Sequence, residues 1–210
     1  MLFLSPSKAD FGGPLEKIML KKIVLDLETQ KEFAEVGGKN HLNLLRVSVA
    51  GIYSYPEEKY FVFEEPEVHK LGEVLSSADQ IIGYNIRQFD LEVLRPYFNF
   101  SLEGVPVLDI LEEIEKILGH RISLASVASA TLGSSKTGSG LNAIALWKNG
   151  QISDLKKYCL NDVKLTRGIY DYGQKYGRLL YQDFFETREI PVKFAQPKAR
   201  ENVVTQASLF

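Results

Sequence analysis

Asp26 and Glu28 stand two positions apart at the end of an apolar run, Ile23-Val24-Leu25-Asp26-Leu27-Glu28-Thr29. The run reads as a buried strand. Side chains on a strand alternate faces with a period of two, so both carboxylates project from one face. Carboxylates held side by side repel unless a positive charge lies between them. A divalent cation such as magnesium, a hard ion that takes oxygen ligands, meets that need. Taken alone, an Asp-x-Glu pair is better read as a strand running into a solvated acidic turn. Two further segments repeat the pattern of an acid where a regular element meets a loop or a neighbour. Asp90 closes Gly83-Tyr84-Asn85-Ile86-Arg87-Gln88-Phe89-Asp90, early in a predicted helix that follows a short strand. Tyr158 and Asp162 lie four apart in a long predicted helix, on one face, where both can point into one cavity. Singly, these too have plain readings: a polar helix edge for the pair, and a helix start favoured by the dipole for Asp90.

Together the three segments resemble the three exonuclease motifs of the 3′→5′ exonuclease superfamily that carries four acids and a tyrosine, the DEDDy type. Asp26-Leu27-Glu28-Thr29 stands for the first motif, the Gly-Tyr-Asn-x-x-x-Phe-Asp segment for the second, and Tyr158-x-x-x-Asp162 for the third. The second and third are most similar to proofreading domains of family-B DNA polymerases and their stand-alone bacterial relatives. The resemblance covers about residues 20–175, with the motifs in the right order. The sister subclass places a histidine five residues before the last acid; Lys157 occupies that position here. His41, His69 and His120 lie far from the motif and are assigned surface or local packing roles.

The resemblance implies a metal-dependent 3′→5′ exonuclease acting on DNA, at single-stranded 3′ ends, and releasing nucleoside 5′-monophosphates. Asp26, Glu28, Asp90 and Asp162 would hold two divalent cations, Mg2+ or Mn2+, with Asp26 the bridging ligand. Two such ions about 3.5–4 Å apart can serve the attacking water, the phosphate and the leaving oxygen. Tyr158 would orient the water; a free phenol, with a pKa of about 10, is a poor base at neutral pH. Leu27 and Thr29 would lie beside the terminal nucleotide, and Asn85 and Phe89 would line the same cleft, although Phe89 reads equally as core. RNA as the substrate, and a non-catalytic nucleic-acid-binding module, are the alternatives; the intact acids and tyrosine argue against the second. Asp109, at another strand end, falls outside the four acids and reads as a helix cap or a support behind the ligands.

The elements that must position these residues follow from periodicity. The first strand is followed by a polar loop over 30–40, then strands over 44–53 and 59–63 that continue as an antiparallel meander. A helix over 67–77 precedes a short buried strand and turn over 80–85. A helix over 88–97, a strand over 105–108, helices ending at 118 and spanning 123–132, and another over 141–147 come next. The long helix over 153–175 turns Leu155, Cys159, Val163 and Tyr170 to the core. Residues 178–194 hold two β-like runs, a hairpin or an edge addition. This order is that of an α/β, ribonuclease-H-like fold with a central mixed β-sheet flanked by helices. The Gly- and Ser-rich stretch 133–140 lacks the Gly-Lys-Ser/Thr order of a phosphate loop and follows a helix, so nucleotide binding of that kind is rejected, with Lys136 a surface lysine.

Composition sets the frame. At 210 residues, the chain supports one domain over 19–195, with an extension over 1–18 and a tail over 196–210. Met19, directly before the first strand, is as plausible a start as Met1. Apolar runs fall short of the roughly 20 residues of a membrane span. Cys159 is the sole cysteine, which excludes an internal disulfide and a cysteine-rich zinc site and fits a cytoplasmic protein. The net charge of −2 argues mildly against tight non-specific DNA binding. The tail is polar over 196–205 and ends in Gln206-Ala207-Ser208-Leu209-Phe210, which resembles the bacterial motif that binds the DNA polymerase sliding clamp. Gln206, Ser208, Leu209 and Phe210 are the clamp-binding candidates: a tethered amide and a Leu-Phe pair suited to an apolar pocket. Deleting Leu209 and Phe210 is expected to remove clamp binding, measured by surface plasmon resonance, and to spare cleavage of short oligonucleotides. Unchanged clamp affinity would contradict the assignment.

Overall fold

The computed structural model describes residues 20–134, 140–183 and 186–197. The extension with its alternative starts, Lys136, and the clamp-binding candidates Gln206, Ser208, Leu209 and Phe210 lie outside the described residues.

Five strands build the main sheet: β1 (Lys22–Thr29), β2 (Val47–Ser54), β3 (Lys59–Glu64), β4 (Gln80–Gly83) and β5 (Val107–Asp109). Their order is β3-β2-β1-β4-β5. The first three form the expected antiparallel meander, and β4 and β5 add in parallel. Parallel addition needs crossovers, here through α1 (Val68–Ser76) and α2 (Asp90–Leu94). The remaining helices are α3 (Ile110–Leu118), α4 (Leu124–Leu132), α5 (Gly140–Lys148) and α6 (Ile152–Tyr176). Among the described residues, no helix is long and apolar enough to cross a membrane.

The period of two sorts β1 between two cores. Ile23, Leu25 and Leu27 pack with α1 and α2 on one side, among Leu71, Leu75, Ile86 and Leu94. Val24 packs on the other side with Ile82, Val163 and Ile169. Asp26 and Glu28 continue the Val24 side, toward α6. That helix buries Leu155, Tyr158, Cys159, Asp162, Val163 and Tyr170, so the acidic face of β1 and the acid of α6 are packed toward each other.

Gly51 allows the approach. It lies opposite Asp26 in the β1–β2 ladder. A Cβ there would fall 3.0 Å from both Cys159 Sγ and Val163 Cγ2, and 3.2 Å from Leu160 Cδ2. The first two atoms belong to short or β-branched side chains with little room to move.

Several elements differ from the sequence expectation, each for a local reason. The polar loop over 30–40 holds two 3-10 turns, Phe33–Val36 and Lys39–Leu44, separated by Gly37 and Gly38 at positive φ. Arg46 also adopts a positive φ of 58°, which delays β2 to Val47. Pro96 shortens the helix expected over 88–97 to α2, followed by a 3-10 turn at Arg95–Tyr97. Pro106 has no N–H to donate, and β5 begins after it. Residues 178–194 form a separate two-stranded sheet, β6 (Arg178–Gln182) with β7 (Thr187–Pro191). It packs on α4 and α6 instead of extending the main sheet. Gly119 ends α3 with a left-handed φ of 75°, as expected of a helix C-terminus.

Replacing Gly51 by Val should force α6 off the sheet. The expected cost is about 1–3 kcal/mol, as for other overpacked cores, read as a lower urea midpoint at unchanged m. An unchanged midpoint would show that α6 does not depend on this close approach.

Candidate active site

β4 pairs with β1 only from Lys22 to Val24 and stops at Gly83. Beyond it, no strand among the described residues pairs with the β4 flank of β1, and the Leu27 N–H donates instead to Asp90 Oδ1 at 3.0 Å, in a buried bond. Asp90 is the first residue of α2 and 4% exposed. The break in the sheet thus brings the acid of the second segment to the acids of the first. From the opposite side, α6 brings Asp162, 2% exposed. Asp26, Glu28 and Asp162 each offer a carboxylate oxygen, and these oxygens lie within 4.8 Å of one another.

Crowding four carboxyls has an electrostatic consequence. Burial, and then the charge on Asp26, push the Asp90 carboxyl well above the usual carboxylate range; the Leu27 N–H bond opposes this. Cys159, fully buried beneath the cluster, donates its S–H to the Asp26 carbonyl at 3.5 Å. Burial, and then the charges of Asp26, Glu28, Asp162 and Asp90, push its thiol well above the usual range. It stays protonated and contributes no thiolate ligand. The donors are therefore carboxylate oxygens, some of them deeply buried, the set that a hard divalent cation matches. The residues present fit Mg2+ or Mn2+, with Asp26, Glu28 and Asp162 as the compact group and Asp90 against them.

The acids open into a cleft of about 520 Å³. Leu27, Thr29, Asn85 and Phe89 line it together with Asp26, Glu28, Asp90 and Asp162, so every substrate-binding candidate reaches one cavity. Phe89 also packs on the core beside α2; both readings of it hold. Tyr158 stands apart. It is 7% exposed and packs with Val49, Ala143 and Leu155, with α5 in the same cluster, and it is absent from the lining residues. Lys157 is exposed and pairs with Asp154 at 3.0 Å, away from the acids. His69 and His120 bond only to nearby carbonyls, of Pro66 and Leu118, and His41 is exposed.

Sequence reasoning missed part of the wall. Phe33 and Ala34 close one side of the cleft, and Leu141 and Ile144 of α5 another. Phe33 meets Phe89 edge-on, with ring centroids 6.1 Å apart. Lys148 ties α5 to the Phe33 turn through Glu35, at 3.0 Å. The one signal for this wall was Phe33 itself, a large apolar residue in a stretch otherwise read as polar loop.

Most residues of the second segment have a structural task. Gly83 leaves room for Ile86, which a Cβ would meet at 2.7 Å, and Ile86 is fully buried. The Tyr84 hydroxyl donates to the Ile122 carbonyl at 2.7 Å. Asp109, 2% exposed, accepts from the backbone N–H groups of Asn85 at 2.8 Å and Arg87 at 3.0 Å. It also caps α3 through Leu111 and Glu112, as its reading as a cap anticipated.

The family model of the RNase_H superfamily matches residues 23–174, and the chain belongs to that superfamily. Its fold is similar to that of a solved family B DNA polymerase from the hyperthermophilic archaeon Pyrobaculum calidifontis, with a TM-score of 0.57. The likeness covers 74% of this chain and 24% of the polymerase at 18% identity, so it is one of fold. No curated protein matches the chain.

The raised Asp90 fixes a pH dependence. Without cations, the folded chain keeps this proton at pH values where the unfolded chain has lost it. The associated stability is full below the ordinary Asp value of 3.8 and is lost as pH rises through the folded-state value. Asp90→Asn keeps an oxygen for the Leu27 N–H and removes the charge. In EDTA at pH 7 it should melt above the wild type, and it should lose most of the Mn2+-dependent rise in Tm. A variant that melts below the wild type in EDTA would contradict this electrostatic reading.

Proposed function

We propose that the chain is a divalent-cation-dependent 3′→5′ exonuclease that hydrolyses DNA phosphodiester bonds from a free 3′ end and releases nucleoside 5′-monophosphates. The observation that carries this reading is the meeting of Asp26, Glu28, Asp90 and Asp162 in the lining of one cleft, together with apolar residues such as Leu27, Phe33, Phe89 and Leu141 and with Lys31 and Glu32. Structural acids seldom gather in such numbers, since like charges at short range destabilise one another. Membership of the RNase_H superfamily and the fold likeness to a family B DNA polymerase support the reading at the level of fold.

In this proposal Asp26, Glu28 and Asp162, with Asp90, hold the cations. When bound, the cations supply charge neutralisation at the phosphate and an acidified water at neutral pH. The chain supplies position. The buried bond from the Leu27 N–H fixes the Asp90 carboxyl, and the Cys159 S–H, donated to the Asp26 carbonyl, braces the strand behind it. Leu27 and Phe89 offer apolar surface to the terminal base or sugar, and Phe33 and Leu141 extend that surface. Thr29 donates its hydroxyl to the Lys31 carbonyl at 3.0 Å, so toward a nucleotide it serves as an acceptor. By the resemblance alone Tyr158, one helical turn before Asp162, would orient the attacking water; its ring packs with Val49, Ala143 and Leu155 outside the residues lining the cleft, so that role needs its hydroxyl to reach the cations once they are bound. The tail motif recruits the bacterial sliding clamp, in a cytoplasmic setting.

The test is a panel of 3′-labelled and 5′-labelled DNA and RNA oligonucleotides, each with Mg2+ and with Mn2+. Wild type should release labelled mononucleotide from 3′-labelled DNA, and shorten 5′-labelled DNA stepwise, faster than it degrades RNA. Asp26→Ala and Asp162→Ala should each reduce the rate by at least about 10³-fold, as loss of a catalytic unit does elsewhere, while keeping the fold by circular dichroism. Full activity in the purified double variant would contradict the assignment, and faster RNA degradation would move the substrate to RNA.

A further inference from the structure

Asn85 is one of three described non-glycine residues with a positive φ, at 67°. Left-handed backbone is uncommon outside glycine, and asparagine is among the residues that tolerate it best. The turn is held there from beneath by Asp109, whose buried carboxylate takes the Asn85 and Arg87 N–H groups. The side chain is held separately. Arg121, in the connection between α3 and α4, donates through Nη2 to Asn85 Oδ1. Its Nη1 donates to Gln88 Oε1 at 3.3 Å and pairs with Glu115 Oε2 at 3.2 Å.

Chemistry settles which way the amide faces. A guanidinium carries only donors, so Asn85 must present its oxygen to Arg121. The –NH2 is then the end of the amide left for the cleft that Asn85 lines. A strand approaching this cleft meets carboxylates at Asp26, Glu28, Asp90 and Asp162, with Lys31 also in the lining. A neutral donor with fixed direction binds a phosphate oxygen there without drawing an ion pair from those acids.

We propose that Arg121 is a positioning residue: it locks the Asn85 amide so that its –NH2 donates to a backbone phosphate oxygen of the bound strand. The inference rests on the nuclease reading for its substrate, and on the Arg121–Asn85 contact for its content. Glu115 and Gln88 hold the guanidinium through Nη1, leaving Nη2 for Asn85.

The test uses the full chain with a single-stranded DNA oligonucleotide, comparing Asn85→Ala, Asn85→Asp, Arg121→Ala, Arg121→Lys and Asn85→Ala/Arg121→Ala. Steady-state rates in Mn2+ give KM and kcat, and fluorescence anisotropy in Ca2+ gives Kd without reliance on turnover. Asn85→Asp keeps an oxygen for Arg121 but loses the donor. It should raise KM and Kd about 10- to 100-fold, as should Asn85→Ala, with kcat within about 3-fold and Tm unchanged. Arg121→Ala should reproduce most of that loss, Arg121→Lys should restore part of it, and the double variant should be no worse than Asn85→Ala. Arg121→Ala with unchanged KM and Kd would overturn the inference. So would a double variant worse than Asn85→Ala by the full Arg121→Ala factor, since Arg121 would then touch the strand itself. Wild type that binds the strand without cleaving it would contradict the nuclease reading alone, and the Kd series would still decide the role of Arg121. Wild type that does not bind would contradict both.

Discussion

Four carboxyl groups drawn to one place by three separate chain segments are the constraint to which the rest of this molecule answers. In a medium less polarisable than water they repel strongly and are expensive to desolvate. Burial first, and neighbouring charge second, raise the Asp90 carboxyl and the Cys159 thiol in keeping with that cost. The chain offsets part of it with backbone donors. The Leu27 N–H serves Asp90, and it is free to do so because β4 ends early. With Asp90 protonated, a bond of this kind contributes about 0.5–1.5 kcal/mol, which offsets part of the desolvation and leaves the repulsion among the charged acids. A divalent cation removes it, so the same geometry that destabilises the bare chain prepares a binding site.

Holding the acids close requires two periodicities to coincide. The two-residue repeat of β1 turns Asp26 and Glu28 toward α6, and the helical repeat of α6 turns Asp162 toward β1. Neither would suffice if a side chain at Gly51 held the helix away. Asp109 does comparable work for the second segment, tying the turn after β4 to the start of α3 with one buried carboxylate. Acids thus appear in this fold in two distinct roles. Asp109 is surrounded by N–H donors, whereas Asp26, Glu28 and Asp162 converge with oxygens facing one another.

Much of this was legible in the residues. The spacing of Asp26 and Glu28 gave a shared face because strand geometry is local, and the alternation of apolar residues gave the meander and the long α6. The convergence of Asp90 with them rested on resemblance alone, since no local rule states where β4 stops or which N–H is thereby released. The wall formed by Phe33 and Leu141 was invisible for a similar reason. It depends on a 3-10 turn that Gly37 ends with a left-handed φ and on how α5 packs, both tertiary outcomes. Tyr158 lies on the expected helical face, yet it shares a hydrophobic cluster with Ala143 of α5 and is absent from the cleft lining; helical periodicity identifies the face and says nothing of what covers it. Prolines at 96 and 106 marked real interruptions, which the apolar pattern alone overran.

The most direct test of the central claim is an anomalous-difference map from crystals of the chain soaked in Mn2+. The account predicts manganese density between the carboxylates of Asp26, Glu28 and Asp162, with Asp90 against it, and no comparable density elsewhere on the chain. Manganese bound only at surface acids such as Glu57 or Glu73, with the space between Asp26 and Asp162 empty at saturating concentration, would contradict it.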